Sequence, residues 1–140
     1  MVALHINHVA VIVVSVVYFI IGGLWFSPLL FSKVWQELIG LTEEKKQENL
    51  KKNNMGFLLG MSFIAGLIAS YALACIIGAF AINSIVYGAL TGFLVGFSFV
   101  FTSTGTSYLF AGRPFKLTLI DAGYPIVALT AAGAILGIWH

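Results

Sequence analysis

Four long stretches, roughly residues 9–26, 55–80, 85–108 and 117–139, are apolar almost throughout, and only one formal charge, Asp121, lies inside any of them. A helix needs roughly 20 such residues to cross the hydrocarbon of a bilayer. In lipid, every backbone N–H and C=O must find a partner within the protein, which leaves helices and closed barrels as spanning structures. Continuous apolar runs of this length, without strict alternation, read as helices. The expected fold is an all-α integral membrane protein with four transmembrane helices. The chain is 60% hydrophobic and 9% charged, against roughly 45–50% and 25% for soluble domains. The four spans use up most of its 140 residues, so a single membrane domain is expected, with no room for a soluble catalytic module.

The basic residues set the expected topology. Lys33, Lys45, Lys46, Lys51 and Lys52 fall in the loop 27–54, and Arg113 and Lys116 fall in the loop 111–116. The turn 81–84 and both chain ends carry no Lys or Arg. In a four-span chain the first and third loops share a side, and the positive-inside rule places that side in the cytoplasm. The expectation is a multi-pass protein of the cell membrane with both termini outside. The first apolar run lacks a preceding Lys or Arg and a small-residue cleavage site, so it reads as a retained anchor and not a signal peptide. The cations flank spans without interleaved aromatics, so the partner they indicate is the lipid bilayer and not nucleic acid.

Within the first loop, Ser27 followed by Pro28 reads as a helix start, a capping hydroxyl with proline at the first helical position. Leu30, Phe31, Val34, Trp35 and Leu38 then recur at helical spacing, and Gly40 is placed to end the segment. This predicts a short amphipathic helix lying in the inner interface. Thr42, Glu43 and Glu44 predict a second helix to about Lys52, its acids favoured by the N-terminal dipole, and polar all round as a solvated spacer would be.

Small residues recur every four positions: Ser62, Gly66, Ser70, Ala74 and Gly78 in the second span, Gly88, Gly92 and Gly96 in the third, Gly133 and Gly137 in the fourth. Such faces let helices approach closely in lipid. They serve either packing within one bundle or association between copies, and three separate faces lead us to expect a homo-oligomer.

The segment Gly22 to Trp35, GGLWFSPLLFSKVW, resembles the opening signature of a family of small bacterial membrane proteins known as domain of unknown function 1761, which usually reads G-x-W-Y-S-P-x-x-F-G-K-x-W. Gly23, Trp25, Ser27, Pro28, Phe31, Lys33 and Trp35 match it, while Phe26 replaces Tyr and Ser32 replaces Gly. A second match runs through Arg113, Pro114, Lys116 and Leu117 to Ile120, Asp121, Ala122, Gly123 and Tyr124, similar to the family's "RPLKL…IDAGY". There the family often continues with His, and this chain has Pro125, so no role of that His carries over. The resemblance implies a four-span fold, a structural role for Trp25, Ser27, Pro28, Lys33, Trp35, Gly123 and Tyr124, and no assigned activity.

Asp121 is the strongest candidate for chemistry. A carboxylate costs about 2.5–3.5 kcal/mol at the centre of a spanning helix, less towards its ends. Pro125 lacks the N–H that would bond the Asp121 carbonyl, so an acid and a freed acceptor share one place. With Arg113 and the hydroxyl run Thr102, Ser103, Thr104, Thr106 and Ser107 at similar depth, they form a candidate proton or cation pathway; the other reading is a structural pair with Arg113 or a cap onto those hydroxyls. His5 and His8 are three apart, a spacing metal ligands use, but spacing alone carries that reading; no cofactor and no metal are expected. Cys75 lies among aliphatics as a small hydrophobe. No hydrolase, zinc-protease or phosphate-loop motif is present, so no enzymatic role is expected. Two functions remain: an oligomeric channel or transporter for a proton, cation or small solute, and a structural or partner-binding membrane module.

Overall fold

The computed structural model describes residues 4–140. Its helices are α1 (His8–Trp25), α2 (Ser32–Ile39), α3 (Glu43–Lys52), α4 (Met55–Ala79), α5 (Ile85–Val95), a π-helical stretch (Gly96–Phe101) leading into α6 (Thr102–Phe110), and α7 (Phe115–Leu136). No strand occurs among the described residues. Helices α1, α4 and α7 and the unbroken rod Ile85–Phe110 are each long and apolar enough to cross a membrane. The chain is an all-α protein with four membrane-span-like helices and short extra helices in its first loop.

Local chemistry fixes the helix starts. The Asn7, Thr42, Asn54 and Ser84 side chains accept from backbone N–H groups three residues on, at 3.1, 3.3, 2.7 and 3.4 Å, satisfying donors that a first turn leaves free. Ser27 does not do this. The short loop helix begins at Ser32 and not at the Ser27–Pro28 pair. The Ser27 hydroxyl instead donates to the Leu24 carbonyl at 2.7 Å, and Phe31 N–H reaches back to the Trp25 carbonyl at 3.0 Å. Residues 26–31 thus close the end of α1, and Ser27 serves carbonyls left without donors there. At its other end α2 stops at Gly40, left-handed at φ 69°, with Leu41 N–H on the Gln36 carbonyl.

Helix α7 is the centre of the bundle, touching α1, α4 and α5. Ala10, Val11 and Val14 of α1, Leu73, Ala74 and Ile77 of α4, and Ala128, Leu129, Ala132 and Leu136 of α7 form one buried cluster. Hydrophobicity separates nothing from lipid here, so close packing of small side chains holds the cluster together.

The third span packs almost wholly on α7. A Cβ on Gly88 would fall on the Gly133 carbonyl oxygen, and one on Gly133 on the Gly88 carbonyl oxygen. Gly92 meets the Leu129 carbonyl, Gly96 meets Ile126 Cα, and Gly137 meets the Ser84 carbonyl in the same way. In the second span, Gly66 faces the Tyr18 ring, with Ser70 and Ala74 buried. All three small-residue faces are therefore used inside one chain, which removes the argument they gave for self-association.

The antiparallel run of the helices gathers the termini of α1, α4, α6 and α7 at one end, where Trp25 meets Ile120 and Tyr108 meets Asp121. The loops bearing Lys33, Lys45, Lys46, Lys51, Lys52 and Arg113, with Lys116 in the first turn of α7, lie at this basic end. Gly78 beside Leu4, and Gly137 beside Ser84, lie at the other.

Candidate functional site

At the basic end the chain builds a reciprocal clasp between α1 and α7. Trp25, the last residue of α1, donates its indole Nε1–H to the Ile120 carbonyl at 2.9 Å. Its ring covers Gly123, where a Cβ would stand 2.9 Å from Trp25 Cζ2. In return the Tyr124 ring covers Gly22, where a Cβ would stand 2.9 Å from Tyr124 Cζ. Each helix offers a glycine seat and an aromatic ring to the other. Around them Tyr124 packs edge-on against Tyr18 and Phe26, at ring centroids 5.3 and 5.8 Å, and Phe26 against Trp35 at 5.4 Å. Edge-to-face pairs of this kind are worth about 0.5–1.5 kcal/mol beyond area burial.

Pro125 sits inside α7, which continues through it. The Asp121 carbonyl lacks the donor Pro125 would have supplied, and the Trp25 indole serves the carbonyl just before it. The Asp121 carboxylate is half-buried and accepts the Tyr108 hydroxyl through Oδ2. It forms no pair within 4.0 Å with Arg113 or any other cation among the described residues, so the structural pairing with Arg113 does not occur. The hydroxyl run does not converge on it either. Thr102 donates to the Ser98 carbonyl at 2.6 Å and Thr106 to the Thr102 carbonyl at 2.8 Å, while Ser103 and Ser107 are exposed. Threonine in a helix readily bonds the carbonyl one turn back, which takes up the donor a pathway would need.

Two cavities flank this end. One, of about 490 Å³, lies between Phe19, Gly23 and Phe26 of α1 and its following turn, Leu58 and Ser62 of α4, and Trp35 of α2, with Tyr124 as part of its wall. Its lining is mostly aromatic and aliphatic; besides Tyr124 it includes Ser62, whose hydroxyl donates to the Leu58 carbonyl at 2.8 Å. The Trp35 indole N–H is buried without an acceptor among the described residues. The other cavity, of about 300 Å³, brings Thr102, Thr106 and Arg113 together with Phe101, Phe115 and Thr118. Thr102, Thr106 and Arg113 of the pathway candidates thus share a space, while Asp121, Ser103, Thr104 and Ser107 are not in its lining.

Elsewhere, Ser27 and Pro28 form the turn after α1, and Lys33 is exposed. His5 and His8 are exposed at the far end, with His8 Nδ1 3.1 Å from the Tyr71 hydroxyl. No three His, Cys, Asp or Glu side chains cluster as metal ligands among the described residues. Sequence reasoning missed Tyr108 as the partner of Asp121 and Gly22 as the seat of Tyr124. The signal that could have found Tyr108 is that it lies near the end of one arm of a tight helical hairpin whose second arm carries the acid in its second turn.

A family model, described as a protein of unknown function (DUF1761), matches residues 9–137, nearly the whole chain. No curated protein and no solved structure matches it.

Proposed function

We propose that this chain, which belongs to the DUF1761 family of proteins of unknown function, acts as a non-conducting structural or binding module of the membrane, with the Trp35 cavity as its binding site. The observation that carries this reading is the engagement of Asp121 by Tyr108 alone among the described residues, with the Thr102 and Thr106 hydroxyls turned to their own backbone. A conduit for ions requires polar groups converging on a hydrated path. The bundle centre is instead a packed cluster of Ala, Val, Leu and Ile. The clasp residues hold α1 to α7 and so shape one wall of the cavity, which lies within the roughly 300–1,000 Å³ of small-molecule sites. An apolar ligand or an apolar side chain of a partner suits its aromatic and aliphatic lining. In this reading the module sits in the cell membrane with the basic end in the cytoplasm and both termini outside, and it carries out no catalysis.

The second reading, a channel or transporter for a proton, cation or small solute, is supported by a membrane carboxylate beside a carbonyl that proline leaves free. Proton and cation flux into proteoliposomes separates the two. The expected result is flux equal to that of protein-free liposomes for both the natural chain and Asp121→Asn at matched incorporation. Flux in the natural chain that disappears in Asp121→Asn would establish the transport reading instead.

A further inference from the structure

The outer face of the third span carries a ladder of aromatic rings. Phe93 and Phe97 stack at 5.9 Å and 9°, Phe97 and Phe101 at 5.3 Å and 10°, and Phe115 closes the lower end edge-on to Phe101 at 6.3 Å and 88°. Four residues of α-helix overshoot a full turn by about 40°, so three phenylalanines at that spacing would wind about 80° around the rod. The π-helical stretch Gly96–Phe101 has a wider turn that winds back. The rings therefore stay in one line, over a rise of about 12 Å. Most of this face is left open by the chain: Phe93, Phe97 and Phe115 are 43, 46 and 62% exposed, and Phe101 is half-buried.

At the foot of the ladder the about 300 Å³ cavity opens beside Arg113. The loop holds this residue in place, because Gly112 is left-handed at φ 69° and Arg113 N–H bonds the Tyr108 carbonyl at 2.9 Å. The guanidinium is exposed and no carboxylate lies within 4.0 Å of it among the described residues. Lys116, in the first turn of α7, is exposed as well. The nearby acid, Asp121, is taken by Tyr108. An apolar track about the length of half an acyl chain thus ends at an unpaired fork of N–H donors, carried on a held stretch of backbone where the helix meets its loop.

We propose that this track and Arg113 form a site for one anionic phospholipid of the leaflet at the basic end, with an acyl chain along the Phe93–Phe97–Phe101 rings and a phosphate oxygen on the Arg113 guanidinium. Guanidinium groups bind phosphate through two parallel hydrogen bonds, and polybasic membrane-facing segments attract anionic headgroups. A second copy of the chain suits the face less well, since it would bury Arg113 with no acid opposite. The inference goes beyond the function proposed above and does not depend on it, because a conduit would carry the same outer face.

The test is native mass spectrometry of the full-length protein in detergent, titrated with phosphatidylglycerol and with phosphatidylcholine of matched chains. The natural chain should retain a first, saturable phosphatidylglycerol about tenfold more tightly than phosphatidylcholine. Arg113→Gln should abolish that preference, and Phe97→Ala should weaken both lipids alike, with thermal midpoints confirming that both variants are folded. A preference unchanged in Arg113→Gln, or lipids that add without a saturable first step, would overturn the site. Dimers abolished by Phe97→Ala in place of lipid adducts would assign the face to a second copy.

Discussion

Tyr108 and Asp121 show how one hydrogen bond settles a costly group. The carboxylate sits near the start of a spanning helix, where it has neither a cation nor threonine hydroxyls, and the phenol from the preceding helix supplies its donor. Hydrogen bonds between membrane helices average about 0.6 kcal/mol and reach about 1.7, while a buried acceptor left unmet costs about 1–3 kcal/mol. Tyr108→Phe keeps the ring and removes only the donor, so we expect it to destabilise the protein by about 1–2 kcal/mol, read as a lower unfolding midpoint in a detergent titration. An unchanged midpoint would show that lipid headgroups or water serve Asp121 equally well.

Helices α5 and α7 approach so closely that backbone touches backbone. At Gly92 an added Cβ would land on the Leu129 carbonyl, an atom that cannot swing aside. Gly92→Ala is therefore expected to push the third span off α7 and cost about 2 kcal/mol or more, because overpacking a filled interface typically costs 1–3 kcal/mol. Gly23, on the face of α1 that borders the Trp35 cavity, meets nothing within 4 Å. There, Gly→Ala should be neutral or stabilising by about 0.5–1 kcal/mol, as helix propensity alone dictates. Measured side by side in the same detergent, only Gly92→Ala should lower stability. Equal effects would mean that the close approach of α5 and α7 does not hold in the folded protein.

The molecule is polarised along its long axis. All seven Lys and Arg gather at the end bearing the clasp, both cavities and helices α2 and α3, and the opposite end has none. We expect that end to lie in the cytoplasm. With Cys75 replaced by Ala, a cysteine at Asn53 should resist a membrane-impermeant thiol reagent added to intact cells, and one at Asn83 should react; the reverse pattern would invert the topology.

The apolar runs and their caps alone determined four spanning helices, the loop helix ending at Gly40 and the helix from Thr42 to Lys52, because those depend on residues within a turn of each other. The start of α2 was misread, since Ser27 had two sets of backbone groups within reach and only the geometry of the chain leaving α1 chose between them. Periodic small residues announced close packing without naming the partner. Gly88 meets Gly133 and Gly137, Gly92 meets Leu129 and Gly96 meets Ile126, through a pairing that is set in space and not along the chain. The candidate site was legible as two separate segments, GGLWFSPLLFSKVW and IDAGY. That Trp25 seats on Gly123 and Tyr124 on Gly22, and that Asp121 takes Tyr108 and not Arg113 as its partner, was decided by tertiary structure, because each contact needs two helices placed to within a side chain's reach.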